Sequence, residues 1–234
     1  MNQKNNPMSI LKNTTLLMPV RDEIMNPAGG IKRCLEAHLP YVEQAIVADT
    51  GSIDGTRQVL EEIQREYPNL RVIDIPWKGF AKARNRIIRE ASTEKLLFID
   101  ADELITNQEK NTAKAFQELA DFVEQEEYEG YDFDFWHVPI PGESPGRVGE
   151  NNPRLFLNNG VEYAGRVNEF LGEKLGTTKI PPAVYIAHFL PSTDAKLAKA
   201  WNWYGTKKYL KQSPSDSAKE HGWKEFNPRR NEFN

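Results

Sequence analysis

From Thr15 to Ile99 short apolar runs alternate with stretches whose apolar residues recur at helical spacing. That alternation predicts βαβ units and a mostly parallel sheet. Thr15–Val20 reads as the first strand, ending at Arg21-Asp22-Glu23, and Ile31–Leu39 as the helix after it. Ala45–Ala48 is the second strand, ending at Asp49-Thr50-Gly51-Ser52, and Asp54 is placed to cap a helix over Thr56–Tyr67. Pro68-Asn69 turns the chain into a third strand, Leu70–Ile75. Helix Ala81–Glu90 and strand Lys95–Ile99 repeat the plan and end in Asp100-Ala101-Asp102-Glu103. Ligands of open α/β sheets bind beyond the carboxyl ends of the strands. Three of these four ends carry carboxylates, which points to a site there.

Beyond Asp102 the alternation weakens. Thr106–Glu127 reads as one long polar helix with Phe116, Leu119 and Phe122 as its apolar stripe, and Tyr131–Val138 as an aromatic strand. Pro139–Asn152, rich in proline and glycine, reads as a long surface loop. Strands at Arg154–Leu157, Val161–Ala164 and Val184–Phe189 predict a mixed, partly antiparallel second half. The expected organisation is a flexible start over 1–12, one domain over 13–211 and a polar tail over 212–234. Within that domain, 13–103 and 104–211 read as two halves of different character.

Composition narrows the class. The chain has 234 residues, 39% of them hydrophobic, enough for one generous α/β domain with a real core. Lone Cys34 excludes an intramolecular disulfide and a cysteine-rich zinc module. No apolar run is long enough to span a bilayer and Met1–Ser9 lacks the core of a signal peptide, so a soluble, cytoplasmic protein is expected. A formal charge of -4 gives no whole-surface attraction to nucleic acid or anionic membranes. The local exception is Lys196–Lys211, where lysines interleave with Trp201, Trp203, Tyr204 and Tyr209. That stretch reads as an amphipathic helix, or as an acceptor surface that would hold the protein at the inner face of a membrane.

Asp100-Ala101-Asp102 carries the first chemistry. Two carboxylates separated by one residue at a strand end suit Mg²⁺ or Mn²⁺, with substrate phosphates filling the remaining positions. A surface turn explains an isolated Asp-x-Asp equally well. Its place after Leu96-Leu97-Phe98-Ile99 favours the site.

These residues resemble the family 2 glycosyltransferases of GT-A fold, a Rossmann-like architecture of a mostly parallel central sheet flanked by helices. Met18-Pro19-Val20-Arg21-Asp22-Glu23 is similar to the family's first strand end. Val47-Ala48-Asp49-Thr50-Gly51-Ser52-Ile53-Asp54-Gly55-Thr56 resembles its Asp-x-Gly-Ser-x-Asp-Gly-Thr signature. Gly79-Phe80-Ala81-Lys82-Ala83-Arg84-Asn85 matches its Ala-Arg-Asn segment and Phe98–Glu103 its metal motif. In the second half, Pro153-Arg154-Leu155-Phe156, Gly165–Glu169 and Ile186-Ala187-His188-Phe189 loosely resemble bacterial lipopolysaccharide-core glucosyltransferases. Asn168-Glu169 stands where that subgroup usually carries His-Glu.

The resemblance implies a metal-dependent inverting transfer of a sugar from a nucleoside-diphosphate sugar, with a UDP-sugar as the expected donor, to an acceptor hydroxyl. Asp49 would accept a hydrogen bond from the base, commonly uracil, and Pro19, Val20, Arg21 and Glu23 would wall the nucleotide pocket. Gly51 would form the tight turn beside it and Arg84 would meet phosphate or ribose oxygens. Asp100 would lie by ribose and metal, with Ala101 between it and the metal ligand Asp102. His188 would complete the metal shell. Inversion requires a carboxylate to take the acceptor's proton, and Glu169 is the implied base, with Asp132, Asp134, Glu143 and Glu150 as competitors. Arg154, Trp201 and Lys207 would line the acceptor side.

Other classes remain open on the residues alone. An apolar strand followed by Asp-x-Asp also describes a haloacid-dehalogenase-type phosphohydrolase, although Leu104 stands where that motif needs Thr or Val. A nucleotidyltransferase would want a glycine-rich first loop, which Leu16–Glu23 lacks. A noncatalytic nucleotide-sugar binder is a third alternative. A glycan or lipopolysaccharide acceptor fits the second half, with a protein side chain or a modified DNA base as alternatives. Sugar identity and oligomeric state are not legible.

Overall fold

The computed structural model describes residues 11–24, 30–138, 146–148, 153–165, 170–172 and 175–189. In chain order the first half consists of β1 (Leu11–Val20), α1 (Ile31–His38), a 3-10 turn at Leu39–Tyr41, β2 (Val42–Asp49), α2 (Thr56–Glu66), β3 (Leu70–Asp74), α3 (Phe80–Ile88) and β4 (Lys95–Phe98). There follow β5 (Glu103–Asn107), α4 (Thr112–Gln125), β6 (Gly130–Asp132), β7 (Asp134–Val138), β8 (Gly146–Val148) and β9 (Leu155–Leu157). The last strands are β10 (Tyr163–Ala164), β11 (Phe170–Leu171), β12 (Thr177–Lys179) and β13 (Val184–Phe189).

The large sheet has seven strands in the order β12-β6-β9-β4-β1-β2-β3. β1 pairs in parallel with β2 on one side and β4 on the other, and β2 with β3. β9 alone runs antiparallel to its neighbours β4 and β6. This is the predicted α/β architecture with a mostly parallel centre. Alternate residues of β1 point to opposite faces, and both faces are covered. Leu16, Met18 and Val20 join a core with Ile31 and Leu35 of α1, Leu60 of α2 and Phe116 and Leu119 of α4. Leu17 joins a second core with Ala83 and Ile87 of α3 and with Phe98, Phe156 and Tyr163. Burial on both sides explains why the strand reads as a continuous apolar run. The chain departs from β1 toward β2 and returns to β4, so the strand order reverses between β1 and β4. A crevice at such a switch point is the expected binding place in this architecture.

The second half differs from expectation in several places. Thr106–Glu127 is not one helix, since Glu103–Asn107 pairs antiparallel with β13 and α4 begins only at Thr112. Side-chain bonding explains the stop: Asn107 Oδ1 accepts from the backbone N–H of Glu109 and Asn111, and Asn111 caps α4 by accepting from Lys114 N. These short polar side chains compete with a continuous helix. Tyr131–Val138 is two strands divided at Phe133, β6 in the large sheet and β7 in a four-stranded sheet of order β5-β13-β7-β8. The expected loop over Pro139–Asn152 contains β8, paired with β7. Val161–Ala164 shortens to β10, paired with β11, and β12 is an unanticipated edge strand. Val184–Phe189 forms as read.

Arg166–Glu169, and hence the expected base Glu169, lie outside the described residues. So do Glu143 and Glu150, residues 1–10 of the expected flexible start 1–12, the acceptor candidates Trp201 and Lys207, and the tail 212–234; Leu11 and Lys12, expected in that start, belong to β1.

Candidate functional site

The carboxyl ends of β1, β2 and β4 bring the expected nucleotide residues together. Asp49 ends β2 beside Val20, its register partner on β1. Its Oδ1 accepts from Gly51 N and Ser52 N, both at 2.6 Å, and Gly51 supplies the turn with φ +98, a conformation that side chains resist. The other oxygen, Oδ2, is buried without a hydrogen-bond partner. A buried carboxylate oxygen left open is costly unless a ligand completes it.

Residues 21–24, which follow β1, are fixed from α2. Thr56 Oγ1 accepts from Glu23 N at 2.8 Å and Ile24 N at 3.2 Å and donates to Asp54 Oδ1 at 2.6 Å. Asp54 also receives Thr56 N, so the expected helix-capping bond is present, one residue before the N-cap Gly55. Asp22 has φ 56, accepts from Ile53 N at its Oδ1 and donates its own N–H to Ser52 Oγ. Burial pushes its carboxyl up to about 7, with Asp54 and Asp49 adding to the rise against the lowering pull of Ile53 N–H and Arg21. Arg21 is buried, its guanidinium 5.8 Å from the Trp77 ring centre, and Pro19 and Val20 stand just before it. Trp77 was not singled out in the sequence; its place shortly before the Gly79–Asn85 segment is the signal that could have found it.

At the β4 end, Arg84 of α3 reaches Asp100 with Nη2 3.2 Å from Oδ1. The guanidinium is 4.9 Å from the Phe98 ring centre and 5.4 Å from that of Tyr163. Burial opposes the charge on Asp100, yet Arg84 and Arg154 outweigh it and hold the carboxyl below its ordinary range. Ala101 is buried in the turn. Asp102 lies across from His188 of β13, Oδ2 to Nε2 3.8 Å, and the backbone ties the strands through Phe189 N to Asp102 O at 2.9 Å. Burial lowers the His188 pKa, but Asp102 overrides it and the net shift is upward. His137 of β7 adds a second imidazole, its ring 5.1 Å from that of His188, which the sequence analysis missed. Among the described residues no group of three or more His, Cys, Asp or Glu is arranged to hold a metal ion.

Two candidates have other surroundings than expected. Arg154, expected at the acceptor side, is buried and forks onto Glu103, Nη2 to Oε1 2.8 Å and Nη1 to Oε2 3.1 Å. Asp134, a competitor for the base, is buried and paired with Lys179 at 2.6 Å.

Comparison with known proteins bears on the family and the fold. The profile described as "Glycosyl transferase family 2" matches residues 15–165. The SPbeta prophage-derived glycosyltransferase SunS of Bacillus subtilis is 29% identical over 148 residues, covering 62% of this chain and 32% of SunS. Glycosyltransferase AglE of Haloferax volcanii is 31% identical over 100 residues, 40% of this chain and 32% of AglE. The chain thus spans about a third of the length of these curated relatives. Among solved structures, S. aureus TarS 1–349 in complex with UDP-GlcNAc superposes with TM-score 0.55 at 15% identity, covering 76% of this chain and 59% of that one. At that identity the likeness concerns the fold.

Proposed function

The chain belongs to glycosyl transferase family 2, and from that premise we propose that it moves a sugar from a nucleoside-diphosphate sugar to an acceptor hydroxyl with inversion at the anomeric carbon. The observation that carries this reading is Asp49 Oδ2, buried and unpartnered at the carboxyl end of β2 beside the switch point. An acceptor atom there fits the N3–H of uracil, and TarS, of like fold, is known in complex with UDP-GlcNAc. A UDP-sugar is therefore the proposed donor. Arg21, Glu23 and Arg84 would line the nucleotide with Pro19, Val20 and Gly51, the guanidinium of Arg84 serving both Asp100 and an incoming phosphate or ribose oxygen.

Asp102 and Asp100 would hold a divalent cation, Mn²⁺ or Mg²⁺, together with the donor's phosphates, and His188 is proposed as a further ligand. Such ions are commonly held by one or two carboxylates plus substrate phosphates, and Asp102 and Asp100 would supply the two carboxylates. Bound there, the cation would neutralise charge on the departing nucleoside diphosphate. The acceptor oxygen bonds to the anomeric carbon as the carbon–oxygen bond to the diphosphate breaks, and its proton passes to a carboxylate, for which Glu169 is the proposed group.

The division into a nucleotide half (13–103) and an acceptor half (104–211) belongs to the same proposal. A glycan or lipopolysaccharide acceptor is the reading for the second half, and Trp201 and Lys207 are its proposed contacts. Cytoplasmic placement goes with it, and among the described residues no helix is long and apolar enough to cross a membrane. Family membership sets aside the haloacid-dehalogenase-type phosphohydrolase.

A thermal-shift panel of UDP, GDP, CDP and dTDP, with and without Mn²⁺, tests the donor half, because a ligand of the native state raises its melting temperature. A Mn²⁺-dependent rise with UDP is expected. No shift with any nucleotide, in folded protein, overturns the reading in favour of a degenerate subunit.

A further inference from the structure

We propose that Glu103 and Arg154, a buried ion pair with no place in the donor pocket itself, are positioning residues that fix the direction of the Asp100 and Asp102 carboxylates. The inference rests on the proposed metal-assisted donor binding and adds to it two residues that do not touch the donor.

The turn between β4 and β5 is closed on itself by reciprocal bonds. Asp100 N donates to Glu103 Oε2 at 2.9 Å, and Glu103 N donates to Asp100 O at 3.0 Å. Asp102 therefore projects from a short loop whose two ends are tied together. The Glu103 side chain that closes the loop is 2% exposed and is itself held by the Arg154 fork. A planar guanidinium with two parallel bonds fixes a carboxylate in orientation as well as position.

Arg154 is in turn anchored on every side. Phe98 N donates to its carbonyl at 2.8 Å, its own N–H donates to Tyr131 O at 3.2 Å, and its guanidinium lies 4.9 Å from the Phe135 ring centre. Its Nη1 is also 3.8 Å from Asp100 Oδ2. One guanidinium thus faces both the residue that shapes the turn and the carboxylate the turn presents. Arg84 holds the other oxygen of Asp100, Oδ1, at 3.2 Å. The chain places this arginine just before β9, the one antiparallel strand of the large sheet, so the second half of the sequence supplies the brace for a motif in the first. A carboxylate and a guanidinium buried at this depth are costly to desolvate, and an apolar pair of like volume would serve stability as well or better. Retaining them makes sense if orientation of the turn is what they provide.

The test is calorimetric titration of UDP into the whole chain across a Mn²⁺ series, for wild type, Glu103→Gln and Arg154→Lys. Glu103→Gln keeps the shape but removes the charge, and Arg154→Lys keeps the charge but removes the fork. Loss of a group that orients ligands typically costs about 10–100-fold in metal affinity. The Mn²⁺ concentration giving half of the effect on UDP binding should rise by about tenfold or more on that scale, with metal-free UDP binding unchanged. An unchanged Mn²⁺ midpoint in folded variants, or an equal loss of metal-free and metal-dependent binding, overturns the inference. Should a single variant not fold, Glu103→Gln/Arg154→Met leaves no uncompensated buried charge and carries the same expectation. A wild type whose UDP binding ignores Mn²⁺ overturns the underlying metal reading instead.

Discussion

Arg84 and Asp100 meet across the switch point: Nη2 of the arginine lies 3.2 Å from Oδ1 of the aspartate, while the same guanidinium packs over Phe98 and Tyr163. The arginine is almost wholly buried and the aspartate is partly open. The arginine is thus the buried partner and the aspartate the accessible one. Arg84→Lys keeps a cation but loses the planar stacking and the second donor, so UDP binding should weaken while the fold persists. Arg84→Ala should also destabilise the protein, by about 1–3 kcal/mol for a lost charge-assisted bond. Parallel denaturant melts and UDP titrations check both. Equal UDP affinity in wild type and Arg84→Lys would remove Arg84 from the donor site.

Asp49 separates its two oxygens by task. Oδ1 holds the turn through Gly51 and Ser52, and Oδ2 is the open acceptor. Asp49→Asn can retain the turn through its carbonyl but presents an amide where the carboxylate oxygen stood. Metal-free UDP affinity should fall about 10–100-fold, the equivalent of about 1.5–3 kcal/mol for a charged hydrogen bond. The melting temperature of the unliganded protein should change little. If UDP binds the variant as well as wild type, the base does not lie on Asp49.

His38 predicts a pH dependence of stability. Its Nδ1 donates to Cys34 O at 2.7 Å and its Nε2 accepts from Ile105 N at 3.0 Å, so the buried ring is neutral. Burial pulls its pKa from 6.5 down to about 4, against a smaller upward pull from the Cys34 carbonyl. The unfolded chain therefore takes up the proton first, and this contribution is full above pH 6.5 and is lost as pH falls from 6.5 to 4. The most it can amount to is about 3 kcal/mol. Asp22, raised by burial to about 7, acts with the opposite sign, adding stability as pH falls through 7. The comparison that isolates His38 is His38→Gln against wild type by urea unfolding between pH 7 and pH 4. The stability gap between the two should narrow as pH falls, and a gap that stays constant refutes a neutral His38.

Legibility from sequence followed the range of the interactions. The ends of β1, β2 and β4 could be read because apolar runs stop at charged residues there, and Asp49, Asp100 and Asp102 stand at those ends, their expected roles coming from the family resemblance. Val184–Phe189 is legible as an apolar run, with Pro181-Pro182 before it and Pro191 after it. β5 could not be read, since Glu103, Thr106 and Asn107 look like solvated positions until the Arg154 fork and the β13 ladder are known. The same holds for Arg154, whose partner Glu103 lies 51 residues away. Tyr131–Val138 reads as one strand because periodicity carries no sign that the chain changes sheets at Phe133.

Thr56 gives the last prediction, and it joins fold to site. The residue is fully buried at the start of α2, and its hydroxyl does three things at once: it accepts from Glu23 N, accepts from Ile24 N and donates to Asp54. The stretch Arg21–Glu23, proposed as the wall of the nucleotide pocket, is thereby fastened to the Asp49–Thr56 segment, proposed as its floor. Thr56→Val replaces the hydroxyl by a methyl of similar volume, so packing is preserved and the two N–H groups lose their acceptor. A buried donor left unsatisfied costs about 1–3 kcal/mol. Thr56→Val should therefore melt lower than wild type and bind UDP more weakly even at temperatures where it is fully folded, because the wall is no longer held to the floor. Thr56→Ser keeps the hydroxyl and should recover UDP affinity while losing only the contacts of one methyl. If Thr56→Val loses stability but binds UDP with wild-type affinity when folded, the threonine serves the fold alone and Arg21–Glu23 does not depend on it for its place in the pocket.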